Sequence, residues 1–298
     1  MRVRIEAPSS PPPVDKLAAG VARLRAAGVS VDDVRGAPRG RHAYLNGDDP
    51  ERTASLADAL RSGVDAVWLS RGGYGLTRIL PALAVPPGRP PTLIGFSDAT
   101  ALFAHFWDRG VPCVHGPLAT TLAAEPDDSF AHCLAVLERR ARGTALAVHA
   151  APGSVAAIDV EGRVFAGNLC VLCALLGTES FPKLDGAIVV LEEVGERPYR
   201  IDRMLTQLLH AGALRGVRAV VVGHLTGCVE PGNASGARDA VPSALSVFAE
   251  RLATAGVPLA AGIAAGHEAP NRALPLGVRA RLVVSAGGGA LTLLEDLP

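Results

Sequence analysis

The first half of the chain alternates short, mainly apolar runs with longer stretches whose apolar positions recur every three or four residues. Val3–Ala7 predicts a strand closed by a Pro/Ser-rich turn, and Asp15–Ala27 predicts a helix that stops at Gly28. Val29–Arg35 is a second strand, and Pro50–Ser62 a helix with Asp48 or Asp49 as its cap. Ala66–Ser70 reads as a buried strand that leaves through the loop Arg71–Gly75 into a helix from Leu76. Thr92–Gly95 is another apolar strand, and a helical pattern, Ala99–Asp108, begins almost at once after it. Apolar strands alternating with helices predict a parallel sheet wound in βαβ units.

The pattern then changes. Glu125–Ser129 is polar, and residues 125–155 are expected to bridge two halves through a helix around Phe130–Arg142. Beyond it come a turn at Glu161-Gly162, Arg163–Ala166, a helix Leu169–Leu176, a strand Ala187–Leu191 and a helix Asp202–Ala211. Strands follow at Ala219–Val222, Leu259–Ile263 and Val278–Val284, with Gly287–Gly289 turning a C-terminal hairpin. The expected organisation is an N-terminal α/β domain (1–124), the bridge (125–155) and a C-terminal domain (156–298).

Composition narrows the function classes. About half of the 298 residues are apolar, and 29 acidic residues balance 29 basic ones. That balance gives no electrostatic case for nucleic acid or an anionic membrane. No run approaches the roughly 20 apolar residues of a membrane span. Five scattered cysteines do not resemble a secreted disulfide framework, and the N-terminus lacks an apolar stretch suited to a signal peptide, so a soluble cytoplasmic protein is expected. Cys170 and Cys173 have CxxC spacing inside an apolar helical run and are expected to be core cysteines.

The junction Gly95-Phe96-Ser97-Asp98-Ala99 carries the first chemistry. A strand entering a helix through one serine is the geometry of a nucleophile elbow, which needs small residues two before and two after the serine. Gly95 and Ala99 meet that need, and the free N–H groups of the helix start, from Asp98 on, suit an oxyanion. The plainer reading is an ordinary helix cap at Ser97-Asp98. Gly72 and Gly73 leave a neighbouring strand end and offer a second N–H donor, while the loop lacks the lysine and spacing of a phosphate loop. A serine needs a base. His267, in a Gly/Pro/Asn loop, and His224, just after an apolar strand, both qualify by position. His105 is expected to point away from the apex, and His132 and His210 to be ordinary helical histidines. Glu192 and Glu193 leave a buried strand on opposite faces, and either suits the acid that orients the base, or both form a solvated strand end.

Taken together, RGGYG (71–75), AGNL (166–169), GFSD (95–98), LEEVGERPYRIDRML (191–205) and GHEAPNRALPLG (266–277) resemble the LD-carboxypeptidases, serine peptidases that include the microcin C immunity peptidases. The opening IEAPSS and the DDPERTASLADAL region are similar to the family's N-terminal part, so the resemblance spans nearly the whole chain. It departs at Ala166, where the family has glycine.

The resemblance implies a Ser-Glu-His triad of Ser97, Glu192 and His267. It places the oxyanion donors at the N–H groups of Asp98 and Gly73, with Gly72 a close competitor. It implies a parallel α/β domain carrying Ser97, a smaller β-rich domain carrying the acid and base, a site between them, and a homodimer. Neither metal nor cofactor is called for. The implied substrate is a peptide ending in a D-amino acid, foremost cytoplasmic murein tetrapeptide. Its carboxylate would need an arginine, and Arg71, Arg200 and Arg203 lie near the motifs; Arg203 suits an ion pair with Glu196 or Asp202 equally well. Asn168 is a further candidate for substrate contact. The alternatives are a microcin-type peptidase acting on aminoacyl-nucleotides, which tends to carry a longer segment between nucleophile and acid, and a non-catalytic murein-peptide binder. Residues 125–180 offer only Phe130 and Phe165 as aromatics, which favours murein.

Overall fold

The computed structural model describes residues 1–34, 42–152, 157–230 and 242–298. Its N-terminal elements are β1 (Arg2–Glu6), α1 (Val14–Ala26), β2 (Ser30–Val34), α2 (Asp49–Ala59), β3 (Ala66–Leu69), α3 (Leu76–Ile79), β4 (Thr92–Gly95), α4 (Thr100–Phe106) and β5 (Cys113–His115). Strands β2, β1, β3, β4 and β5 run parallel to one another in one sheet. The central strands β3 (AVWL) and β4 (TLIG) are buried along their whole length, as a wound parallel sheet covered on both faces requires. Trp68, Phe103 and Phe106 fill its core. Asp48 caps α2 through a reciprocal capping box with Glu51.

After α5 (Asp127–Leu137) come β6 (Ala145–Ala150), β7 (Ile158–Asn168), α6 (Leu169–Ala174), β8 (Ala187–Val194), α7 (Pro198–His210), β9 (Ala219–Thr226), α8 (Ala244–Thr254), β10 (Leu259–Ala261), β11 (Leu274–Pro275), β12 (Arg279–Ser285) and β13 (Gly288–Leu293). These close a barrel in the order β10-β6-β13-β12-β7-β8-β9, which leaves no free edge. The α/β domain is thus as the sequence pattern predicts, and the β-rich second domain as the resemblance implies.

Several details differ. The expected turn at Glu161-Gly162 is the middle of the continuous strand β7. Gly162 is there because a side chain would collide with the Gly186 carbonyl and reach within 3.2 Å of Ile188. Within the 125–155 segment, β6 is a barrel strand paired with β13 and β10, and residues 153–155 lie outside the described residues, as does Arg35 of the second expected strand. β11 leaves the second half of the chain and pairs antiparallel with β5, joining the N-terminal sheet. The segment between β10 and β11 is therefore tied to both domains, and it contains His267.

Candidate active site

From Pro91 to Trp107, Ser97 is the only residue that is not buried. β4 delivers the chain to it, and a 3-10 turn, Ser97–Ala99, starts there before α4. Ser97 sits at φ 64°, in the left-handed region that non-glycine residues avoid. Such a conformation costs about 1–3 kcal/mol and persists only where its surroundings enforce it. The buried carboxylate of Asp98 supplies part of that enforcement: one oxygen accepts the Ser9 hydroxyl at 2.7 Å and the Leu76 N–H at 3.0 Å. Burial pushes this carboxyl up, against those two hydrogen bonds. Gly95 lets strand and turn approach this closely, because a Cβ there would stand 3.1 Å from Leu69 and 3.3 Å from Ala99.

The loop Arg71–Gly75 faces the same serine. A Cβ on Gly72 would stand 2.9 Å from Ser97 Cβ, 3.0 Å from its Oγ and 3.5 Å from the Asp98 nitrogen. Gly73, at φ 102°, lies against Ser10. Ser10 Oγ accepts the Tyr74 N–H at 3.2 Å, and its own N–H donates to Gly72 O at 3.3 Å. The N-terminal segment is the back wall of this loop. Gly72→Ala is expected to push the serine off its rotamer and lower kcat about 100-fold, the scale of a 1 Å misplacement. Steady-state kinetics beside thermal unfolding tests this, and wild-type kcat would refute it.

In the barrel, β8 carries Glu192 opposite a register shift in β9: Leu191 pairs with Val222, and Glu193 with Leu225. Two residues of β9, Gly223 and His224, thus oppose one of β8, a bulge of the kind that re-aims side chains at sites. The segment 262–273 docks on that bulge, with His224 N–H donating to Ala265 O at 2.8 Å. There His267 Nδ1 donates to Glu192 Oε2 at 2.6 Å. Glu192 is 1% exposed and the His267 side chain 18%. The edge of His267 also packs on Phe96, with ring centroids 4.8 Å apart, so the imidazole lies beside the residue that precedes Ser97. His224 instead accepts the Glu268 N–H on Nδ1 at 3.3 Å.

Other residues hold this loop, and the sequence pattern did not single them out. Asn271 Oδ1 accepts the Gly266 N–H at 3.0 Å, and the Asn271 N–H donates to Glu125 at 3.0 Å. Arg272 pairs with Asp128, and His132 Nε2 donates to Ala273 O at 2.8 Å. The start of α5 is thereby stitched to the base loop.

Neither glutamate is a solvated strand end. Glu193, on the other face of β8, accepts Asn168 Nδ2 at 2.9 Å, Cys170 N–H at 2.8 Å and Val194 N–H at 2.9 Å. Burial pushes its carboxyl up, and these donors oppose that. Asn168 spends its other end capping α6, accepting Val171 N–H at 3.1 Å, so both ends of its amide are engaged inside the protein. The Arg71 guanidinium donates to Pro11 O at 2.7 Å. Arg203 stands over the Tyr199 ring rather than pairing with Glu196 or Asp202, which face Arg200 and Arg251. His105 bonds Ser180 at 2.9 Å, away from the apex. Cys173 is buried, but Cys170 is exposed, contrary to the expectation for a core pair.

His115, at the end of β5, is 1% exposed and also went unread in the sequence. Burial pushes its imidazole down to about 4, with the Glu192 charge opposing and His267 and His224 adding to the depression. Between about 4 and the ordinary 6.5, the unfolded chain binds more protons at this site, so stability falls as pH is lowered through that window. His115→Leu is expected to remove a share of about 3 kcal/mol of that loss. Unfolding free energies from pH 7 to 4 test it, and identical slopes for the two proteins would refute it.

Comparison with known proteins converges on one family. The model described as the LD-carboxypeptidase N-terminal domain matches residues 3–116, and that described as the LD-carboxypeptidase C-terminal domain matches 161–282. The chain is 34% identical over 300 residues to the murein tetrapeptide carboxypeptidase of Pseudomonas aeruginosa, covering 94% of this chain and 92% of that protein. It is 37% identical over 313 residues to a putative carboxypeptidase of Streptomyces coelicolor, covering 98% and 93%. In fold it is similar to the muramoyltetrapeptide carboxypeptidase from Oxalobacter formigenes, with a TM-score of 0.83 and 24% identity over the full length of both.

Proposed function

Because this chain belongs to the LD-carboxypeptidase family and is a serine-type carboxypeptidase, we propose that it releases a terminal D-amino acid, D-alanine, from murein tetrapeptide through Ser97, His267 and Glu192. The observation that carries the reading is the 2.6 Å bond from His267 Nδ1 to Glu192, with the same imidazole packed against the residue preceding the strained Ser97. With Nδ1–H held by Glu192, Nε2 is the free base. It takes the Ser97 proton as Oγ attacks the carbonyl of the L-residue. The oxyanion accepts the N–H groups of Asp98 and Gly73, and Gly72 keeps the space open because any side chain there would fill it. His267 then protonates the leaving amine of the D-residue. Water, deprotonated by His267, attacks the acyl-enzyme and frees the shortened peptide and Ser97.

The murein substrate is supported by the relative in Pseudomonas aeruginosa. Among the described residues, no helix is long and apolar enough to cross a membrane. A cytoplasmic site of action and a homodimer belong to the same proposal. Mass spectrometry of murein tetrapeptide and of an aminoacyl sulfamoyl nucleoside, before and after incubation with the protein, tests the reading. Loss of D-alanine from the tetrapeptide is expected; cleavage of the nucleoside alone would replace this substrate with the aminoacyl-nucleotide class, and cleavage of neither would overturn it.

A further inference from the structure

Among the described residues, the interface between the two domains buries three side chains that still have an unpartnered polar atom. Glu192 gives Oε2 to His267, but its Oε1 finds no partner among the described residues. His115 has no partner among the described residues on either ring nitrogen. Asn271 uses Oδ1 on Gly266, while its Nδ2 is unpaired. Buried polar atoms left unpaired cost about 1–3 kcal/mol each, so native interiors rarely leave them so.

The three belong to one place. His115 is paired with Gly95 on β4, two residues before Ser97, and with Leu274 on β11, three residues after Asn271. Its ring lies 5.9 Å from that of Phe96, the ring on which His267 packs. Among surrounding charges it feels Glu192 most strongly, followed by His267 and His224. Gly266, which Asn271 holds, lies so near the acid that a Cβ there would stand 2.9 Å from Glu192 Cβ and from Oε2.

We infer that His115 is a positioning residue for the acid: one buried water, shared by His115 and Glu192 Oε1 and accepting from Asn271 Nδ2, holds the carboxylate so that Oε2 stays on His267. The chemistry fits the donors and acceptors present. Such a water needs two to four polar partners, and these atoms supply them. The water donates to the carboxylate, and the uncharged imidazole completes its shell without bringing a second cation beside the imidazolium that forms during turnover. The inference rests on reading Ser97, His267 and Glu192 as the reacting set.

The test uses a fluorophosphonate, which reports serine activation whatever the natural substrate is. Ser97→Ala is the control: labelling that survives it would sink the triad reading and overturn the inference with it. With that control clean, His115→Leu is expected to slow labelling about 10–100-fold, the range for outer partners of a site. Its melting temperature at neutral pH should change little, because the water keeps Glu192 and Asn271 as partners when the imidazole is removed. His115→Gln, which can still hold the water, should recover most of the rate. Wild-type labelling in His115→Leu, or equal losses in both variants, overturns the inference. If His115→Leu does not fold, an atomic-resolution crystal structure of the unaltered protein decides. A water within 3.2 Å, the usual hydrogen-bond limit, of both Glu192 Oε1 and a His115 nitrogen supports the inference, and its absence refutes it.

Discussion

Ser97→Ala is expected to abolish turnover, a loss on the order of 10⁴–10⁶ in kcat, while the protein unfolds at nearly the same temperature. The two halves of that expectation have separate causes. The serine hydroxyl makes the bond to the acyl group, and nothing else at the elbow replaces it. The fold does not rest on it: Ser97 is the one partly exposed residue of its segment, and the turn is held by Asp98, Gly95 and Ala99 instead. Alanine tolerates φ 64° no better and no worse than serine, so the local strain is unchanged. Single-turnover kinetics beside thermal unfolding gives the answer. Residual turnover within tenfold of wild type would remove Ser97 as nucleophile, and a large drop in melting temperature would mean that the hydroxyl is structural.

The elements legible in the sequence were those that a local pattern determines. The strands around Ala66 and Thr92 are buried along their whole length because both faces of a parallel sheet are covered, and that shows in four residues each. The elbow was legible for a similar reason: its small flanks follow from a strand and helix that nearly touch. What escaped depends on distant parts of the chain. β11 is two residues long, and only its pairing with β5 makes it a strand. Gly162 looked like a turn because the carbonyl it approaches belongs to Gly186, 24 positions on. The choice between His224 and His267 was closed in the sequence by resemblance. In the structure it follows from the bulge that seats the base loop on β9 and brings His267 to Glu192. His115, Asn271 and Glu125 carried no local signal, since each acquires its role only when the barrel segment crosses to the N-terminal sheet.

Glu192 and Glu193 provide the sharpest contrast, because they are adjacent, identical in chemistry and equally buried. Alternation along β8 sends them to different partners: Glu192 holds His267, and Glu193 gathers the N–H groups of Asn168, Cys170 and Val194. Glu192→Gln keeps the shape but replaces the acceptor toward Nδ1 with an amide. Where the amide NH₂ faces the ring, Nδ1 must accept, the proton moves to Nε2, and the base can no longer take a proton from serine. Where its oxygen faces the ring, the charge that stabilises the imidazolium is still gone. A loss of about 10²–10⁴ in kcat is expected, with little change in melting temperature. Glu193→Gln turns one of three acceptor contacts into donor against donor, at a cost of about 1–3 kcal/mol, partly offset by removing a desolvated charge. It should melt several degrees lower and keep kcat within about tenfold of wild type. The two variants thus separate rate from stability in opposite senses. If Glu193→Gln is instead the crippled enzyme and Glu192→Gln turns over normally, the acid is Glu193, and the 2.6 Å bond to His267 is a structural contact.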